Sequence, residues 1–364
     1  MTSPGPDRPD PIPPGACIGV LGGGQLGRML ATAASRLGFE VHIFTPEDDS
    51  PAGRVAAKTT VADWSDIGAL QRFADAVDVA TYEFENIPVA AAKTVAERTR
   101  LRPGVESLER TQDRLTEKRF IDGLGLQPAA FHAVASQEAL DRAVEAVGLP
   151  AILKTRRFGY DGKGQARLKG AEDLPGAFAK LGGGPCVLEA LIPFEREISI
   201  VLARTVSGDV IAFDPVENRH AGGVLATSTV PAGISDATRR AAKQDATALA
   251  DALGHVGVMA VEFFVLEDGA LRVNEIAPRV HNSGHWTADA CDLCQFEAHI
   301  RAICGWPLPK PIRHSDVTMT NLLGSDADDW RALAGESSAR LTLYGKRSTK
   351  PGRKMGHISR LRRR

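Results

Sequence analysis

The stretch "CIGVLGGGQLGRML" (17–30) constrains this chain more than any other. A short apolar run meets glycines at 22, 24 and 27 and passes into apolar residues at helical spacing that end at Gly38. A buried strand feeding a helix through so tight a turn needs parallel neighbours, and "FEVHIF" and "AVDVATY" supply them. Residues 16–106 therefore read as an α/β unit around a parallel sheet. The glycine spacing lets backbone approach an anion at a helix N-terminus. A nicotinamide cofactor also wants an acid at the tip of the second strand, where this chain has Thr45-Pro46 with Glu47 just beyond. The turn thus fits a nicotinamide-dependent oxidoreductase, another phosphate ligand, or a structural turn.

Length bounds the rest. At roughly 100–200 residues per domain, 364 residues that are 43% hydrophobic make two or three domains with ample core. Lys+Arg 44 against Asp+Glu 45 leaves a formal charge of −1, so no global excess points to nucleic acid or to a disordered acidic chain. Five cysteines (17, 186, 291, 294, 304) are an odd number, which suits a reducing compartment. The start, residues 1–15, is proline-rich without an apolar core and reads as a disordered tail rather than a secretory signal. No apolar run is long enough to span a membrane. A cytoplasmic protein is expected.

Residues 107–125 predict one amphipathic helix with Ser107 as its cap. From about 128 to 305 the texture turns antiparallel, with glycine-rich turns at 159–164, 182–184, 222–223 and 268–269 and one helix over 236–254. "CDLC" (291–294) is a single Cys-x-x-Cys inside what reads as a packed helix. The last residues hold short strands and a basic end, of which "RLRRR" reads as a solvated tail.

Three segments carry chemistry. In "LPAILKTRRFGYDGKGQ" Lys154 ends an apolar strand and precedes glycines at 159, 162 and 164. One fixed cation beside flexible backbone amides suits a polyphosphate, and a hairpin turn with a surface lysine reads the same way. In "CVLEALIPFEREISI" Glu189 ends a strand, where backbone can read adenine, and Glu197 lies where a carboxylate could take ribose hydroxyls; any half-solvated strand shows this alternation too. In "GVMAVEFFVLEDGALRVNEIAPRVHNSGHWT" the pair Asp268-Gly269 signals a two-residue hairpin. Counting back pairs 267 with 270, hence Phe264 with Val273 and Glu262 with Glu275. Facing carboxylates repel, and a hard divalent cation removes that cost. A register slip or a neighbouring cation would remove it as well. Asn274 has the opposite parity. Arg279 follows, placed either to meet a transferring phosphoryl group or to make a structural salt bridge.

Together these segments resemble the ATP-grasp superfamily of carboxylate–amine ligases. Four motifs in order, "GVLGGGQLGRML", "GYDGKGQ", "VNEIAPRVHNSGHWT" and "KPGRKMGHI", resemble its 5-(carboxyamino)imidazole ribonucleotide synthase family over about 17–358. The resemblance implies a Rossmann-like pre-ATP-grasp domain (16–106), an ATP-grasp domain (107–305) with a lid subdomain over about 128–190, and a small β-rich C-terminal domain (306–364). It implies an ATP site lined by Arg114, Lys154, Gly159, Tyr160, Asp161, Gly162, Lys163, Gly164, Gln165, Glu189, Ala190, Leu191, Ile192, Glu197, His220, Asn274 and Glu275. Mg²⁺ would sit on Glu262 and Glu275, with Lys154, Arg279 and Glu275 as the catalytic groups. The glycine turn would then serve the substrate side of the cleft. There Gly24, Gln25, Leu26, Glu83, Tyr160, Lys163, His281 and Asn282 would approach aminoimidazole ribonucleotide, and Lys346, Arg353 and Lys354 would take its 5′-phosphate.

The implied reaction joins bicarbonate to that ribonucleotide at the expense of ATP, through carboxyphosphate, with closure of the 159–164 loop excluding water. The implied partners are small molecules and a second copy of the chain, without nucleic acid or membrane. Three rivals remain: a formate-using or biotin-carboxylating ligase of the same fold, the nicotinamide oxidoreductase, and a catalytically dead ATP-binding regulator.

Overall fold

The computed structural model describes residues 10–159 and 163–364. The first five strands, Cys17–Leu21 (β1), Glu40–Thr45 (β2), Lys58–Val61 (β3), Val79–Tyr82 (β4) and Arg100–Leu101 (β5), form one parallel sheet in the order β3-β2-β1-β4-β5. Helices Gln25–Arg36 (α1), Ile67–Ala74 (α2) and Val89–Ala96 (α3) connect them. The α/β reading of 16–106 is what the structure has.

The single helix expected over 107–125 is two, Val105–Thr111 (α4) and Arg114–Gly123 (α5). They break because Asp113 leaves helical geometry and its carboxylate accepts from the Leu115 and Thr116 amides at 3.0 and 3.1 Å, an N-cap that starts a new helix. Ser107 is therefore no cap. It is buried inside α4, and its hydroxyl meets His255 Nδ1 at 3.1 Å.

A four-stranded antiparallel sheet follows, in the order Phe131–Val134 (β6), Cys186–Ala190 (β9), Ala151–Thr155 (β7), Gln165–Leu168 (β8). Helices Gln137–Val147 (α6) and Ala177–Lys180 (α7) accompany it. The remaining strands are Arg196–Arg204 (β10), Val210–Ala212 (β11), Val216–Ala221 (β12), Val224–Val230 (β13), Gly257–Val265 (β14), Leu271–Ala277 (β15), Ser315–Leu323 (β16), Ala339–Leu343 (β17) and Lys354–Arg363 (β18). They share one nine-stranded sheet, ordered β15-β14-β10-β12-β13-β16-β18-β17, with β11 on β10. The C-terminal β-rich segment thus extends the central sheet through β13–β16 instead of building a sheet of its own.

Helix Asp236–Ala252 (α8), capped by Ser235, covers one face of β14 and β10. Helices Thr287–Ala290 (α9) and Gln295–Ile303 (α10) flank "CDLC", which is a break between helices and not helical. Cys294 caps α10, its sulfur accepting from the Glu297 amide at 3.4 Å. Helix α10 lies in a core that runs from Ile18 and Leu30 through Val258 and Trp286 to Val317, so the three segments share one apolar interior. Of the expected N-terminal tail, residues 1–9 lie outside the described residues, and the described part, like the C-terminal end, is tied down. Ile12 is buried, and its backbone pairs with Cys304 O and the Trp306 indole. "RLRRR" lies within the end of β18, where Leu361 opposes Val317 and Arg362 pairs with Asp316 at 3.0 Å.

Candidate active site

The β14–β15 loop holds three residues instead of the two that Asp268-Gly269 suggests. Leu266 N donates to Ala270 O and Gly269 N to Leu266 O, both at 2.9 Å, with Gly269 at φ +82°. A turn closed by a left-handed glycine is the three-residue hairpin form. It moves Val273 opposite Phe263 and away from Phe264. A bulge between Glu262 and Phe263 then shifts the ladder back, and Glu262 faces Glu275 after all. Asn274 is the extra residue. A bulge re-aims a side chain, and Asn274 and Glu275 both line the same cavity despite their parity.

That cavity, about 1210 Å³, lies between the lid sheet, the central sheet and the β4–α3 loop. Of the residues expected to bind nucleotide, Arg114, Lys154, Gly159, Lys163, Gln165, the 189–192 segment, Glu197, His220, Asn274 and Glu275 all line it. Gly164 does not, its carbonyl being taken by Thr155 N at 2.8 Å. Tyr160, Asp161 and Gly162 lie outside the described residues. Arg279, His281, Asn282 and Lys354 line the cavity from the other side.

Charge is paired unevenly within it. Glu189 Oε2 accepts from Lys154 Nζ at 2.9 Å and Lys118 Nζ at 3.0 Å, the carboxylate and Lys118 being buried and Lys154 opening to the cavity. Burial alone would raise the Glu189 pKa, but the two ammonium groups outweigh it and hold the carboxyl at about 2. Its Oε1 is buried without a partner among the described residues. Glu197 binds His220 Nδ1; burial opposes protonation of that ring, yet the carboxylate prevails and raises its pKa. Arg114 spans the site, donating to Gly159 O at 2.9 Å and standing 3.4 Å from Glu275 Oε2.

Glu262 meets a histidine and the opposed acid. His281 Nε2 is 3.7 Å away, but burial, then the nearby Arg279, push that imidazole to about 3 and keep it neutral. Burial and the opposed Glu275 lift Glu262 to about 8. Glu117, whose Oε1 accepts from Ile276 N at 2.6 Å, is lifted to about 8 by burial and by the same Glu275.

Raised carboxyls stabilise the folded chain below their ordinary pKa, near 4.5, and that contribution is lost as pH rises through about 8. The depressed His281 has completed its opposite contribution by pH 6.5, and Lys346, lowered to about 8, begins its own only above that. Between pH 6.5 and 8 the ligand-free protein should therefore lose thermal stability, and Glu262→Gln should lose less. Parallel melting curves for the two proteins across this window would refute the raised Glu262 carboxyl.

The substrate-side residues divide. Glu83 does not line the cavity. It is 7% exposed and turned under the glycine turn, its carboxylate accepting from Gly24 N at 2.8 Å and Gly27 N at 3.1 Å. A Cβ on Gly22, already at φ +113°, would stand 2.6 Å from Glu83 Cγ, so the glycines make room for this acid. The amides that a dinucleotide would need are occupied by the chain's own carboxylate. Leu26 packs into the core, and Gln25 lies beside it in α1 outside the cavity lining.

Glu85, two residues on, enters the cavity and pairs with Arg279, which makes the salt-bridge reading of Arg279 the one present here. Burial would raise the Glu85 carboxyl, but Arg279 brings it to about 2. Asn282 exchanges amide hydrogen bonds with Asn321, both at 3.0 Å. Lys346 Nζ donates to Lys354 O at 2.8 Å, whereas Arg353 turns to Ser348 O at 2.9 Å; neither lines the cavity. His285 is apart from His281, buried between the rings of Phe296 and His357.

Sequence reasoning missed Lys118, Glu117, Glu85 and Gln112. Lys118 and Glu117 follow Arg114 on α5 at i+4 and i+3, which is one helix face, so the expectation for Arg114 could have been extended to them. Glu83 and Glu85 share a parity, and nothing in the chain order tells which one reaches the cavity.

The geometry has close counterparts. The ATP-grasp domain family matches residues 119–296, the ribonucleotide synthetase preATP-grasp domain 16–112, and the phosphoribosylaminoimidazole carboxylase C-terminal domain 317–363. The N5-carboxyaminoimidazole ribonucleotide synthase of Brucella melitensis is 50% identical over 353 residues, 96% of this chain and 98% of that protein. The crystal structure of N5-carboxyaminoimidazole synthetase from Staphylococcus aureus complexed with ADP superposes with a TM-score of 0.94 at 36% identity, covering 98% of this chain and 95% of that one. The synthase from Aspergillus clavatus in complex with ADP and 5-aminoimidazole ribonucleotide gives 0.90 at 30% identity, covering 96% and 94%.

Proposed function

This chain belongs to the N5-carboxyaminoimidazole ribonucleotide synthase family of ATP-grasp ligases, and from that premise we propose how its own residues carry the reaction. It is an ATP-dependent carbon–nitrogen ligase that carboxylates 5-aminoimidazole ribonucleotide to the N5-carboxyamino product in purine biosynthesis. The observation that carries the residue assignment is the opposed pair Glu262–Glu275 at the wall of a cavity lined by Arg114, Lys154 and Arg279.

Bicarbonate is a poor electrophile because hydroxide leaves badly. In the first step a bicarbonate oxygen bonds to the γ-phosphorus of ATP, the bond to the β,γ-bridging oxygen breaks, and ADP leaves. In the second, the ribonucleotide amine bonds to the carboxyphosphate carbon, the carbon–oxygen bond to phosphate breaks, and the departing phosphate takes the amine proton. The chain supplies positioning and charge. Lys154 reaches the phosphates from the lid side, with Glu189 holding its ammonium group and that of the buried Lys118 on α5 in place; Glu189 Oε1, without a partner among the described residues, is the acceptor left for a donor of the nucleotide. Arg279, held by Glu85 at the cavity wall, meets the transferring group.

Glu262 and Glu275 fit Mg²⁺: both offer hard oxygen ligands, they face one another across the ladder, and their mutual repulsion, with desolvation, lifts the Glu262 carboxyl until a divalent cation offsets it. Once bound, Mg²⁺ would neutralise charge on the transferring phosphoryl group. On the ribonucleotide side, Lys346 is held over the Tyr344 ring at 5.7 Å. We assign it and Lys354 to the 5′-phosphate, with Arg353 further out. Lys346→Ala should raise the ribonucleotide KM by about tenfold or more, the loss of one charged hydrogen bond, and leave the ATP KM unchanged. Equal changes in both would count against a phosphate pocket there. A homodimer and a cytoplasmic location are proposed on the family's habit; among the described residues no helix is long and apolar enough to cross a membrane.

The deciding assay is ADP formation by the purified protein with bicarbonate and aminoimidazole ribonucleotide each present or omitted, repeated after chelation of divalent cations. ADP release should need all three. Release independent of bicarbonate would refute the reading, and tight nicotinamide binding without ATP use would restore its oldest rival.

A further inference from the structure

Gln112 is the residue at which α4 ends, and its side chain spans two walls of the cavity. Its Nε2 donates to Glu85 O at 2.8 Å and Ile87 O at 2.6 Å, both in the loop after β4. Its Oε1 accepts from Arg157 Nη2 at 2.9 Å, on the segment after β7. The amide has one orientation that satisfies all three contacts, since two carbonyls face the nitrogen and a guanidinium faces the oxygen.

The neighbours reinforce this junction from one side only. Asp113 pairs with Arg156 at 2.7 Å, and Arg114 N donates to Arg156 O at 2.9 Å. Those contacts secure the segment that follows Lys154. They do not reach the β4–α3 loop. Phe158, next in that segment, is held at φ +63° and is 71% exposed, so the backbone there is kept in a conformation that its own sequence disfavours. The Glu85 carboxylate, one residue's length from the carbonyl that Gln112 holds, is the partner of Arg279.

We propose that Gln112 is a positioning residue for the ligase reaction, linking the nucleotide-side segment 156–158 to the loop that sets Glu85 and Arg279. The inference rests on the proposed reaction. By this linkage the arginine that meets the transferring group is placed in register with the lysine-bearing strand, so that phosphoryl transfer and capture by the amine stay coupled. Among the described residues no hydrogen bond or ion pair joins the Glu85 or Ile87 side chain to segment 156–158, so removing the amide frees the loop to drift relative to Lys154.

The test compares full-length Gln112→Ala, Gln112→Glu, Arg157→Ala and the double variant Gln112→Ala/Arg157→Ala with wild type. Initial rates of ADP and of carboxylated product are measured, with melting temperatures alongside. Gln112→Ala should raise the ribonucleotide KM about tenfold, as loss of two hydrogen bonds allows, with the ATP KM within about twofold. It should also release more than one ADP per carboxylated product. Gln112→Glu keeps the size and the acceptor for Arg157 but cannot donate to the two carbonyls, so it should reproduce the ribonucleotide KM even if the alanine variant folds poorly. The double variant should be no worse than Gln112→Ala. Additive losses in the double variant, parallel changes in both KM values that track melting temperature, or wild-type coupling in Gln112→Ala and Gln112→Glu would each overturn the linkage. A wild type that releases ADP without bicarbonate would instead overturn the proposed function, and so the two failures are told apart.

Discussion

Replacing Glu275 by Gln should lower the rate of ADP release by about 10²–10³-fold while leaving the fold intact, the range seen when one electrostatic contact to a transition state is lost. Three roles meet on this carboxylate. It faces Glu262 across the ladder, stands 3.4 Å from Arg114, and raises Glu117 by its charge. The amide keeps the shape of the bulge and can still accept from Arg114, so the strand should hold. It removes half of the charge that would attract a divalent cation. A second effect separates this account from general damage: without Glu275 opposite, Glu262 and Glu117 should both titrate lower, and the ligand-free variant should lose less stability than wild type between pH 6.5 and 8. Normal turnover, or an unchanged pH–stability profile, would defeat the cation assignment. The melting curve and the ADP assay together check both halves.

Replacing Glu189 by Leu should destabilise the protein by about 3–5 kcal/mol, because it removes the carboxylate that two largely buried ammonium groups share. Lys118 is 1% exposed, and its one other hydrogen bond among the described residues is a long one to Asn274 O at 3.5 Å, so solvent does not relieve the cost. Adding Lys118→Met to Glu189→Leu should recover part of the loss, since one of the two stranded charges is then gone. Denaturant unfolding of the single and double variants measures this directly. A Glu189→Leu protein within about 1 kcal/mol of wild type would mean that the lysines find other partners, and that the cluster is not the structural anchor of the nucleotide side.

The acid pair was legible because strand alternation is local and a hairpin folds back on itself. Even so, the route to it was inexact: the turn is one residue longer than Asp268-Gly269 implies, and the bulge at Asn274 restores the register. The break at Asp113 was hidden for a similar reason. Residues 105–123 keep helical periodicity on both sides, and the cap that interrupts them is one aspartate whose carboxylate also holds Arg156 from the lid. At the chain's two ends, polar or proline-rich composition suggested solvent. Ile12 and Leu361 nevertheless find apolar surface contributed by segments hundreds of residues away in one case and a β-ladder in the other.

Chain order was therefore enough for the alternation of 16–106, for the motif residues that line the cleft, and for a nucleotide-dependent ligase as the reading of them. These depend on neighbours within a turn or a strand, where periodicity and turn chemistry act. Packing had to assign the rest: that Glu83 fills the glycine turn while Glu85 takes Arg279, that Lys118 joins Lys154 on Glu189, and that Gln112 reaches across two segments. Each of those depends on which distant carbonyl, ammonium or carboxylate arrives within about 3 Å, and the partners are separated by 25 to 194 residues of chain.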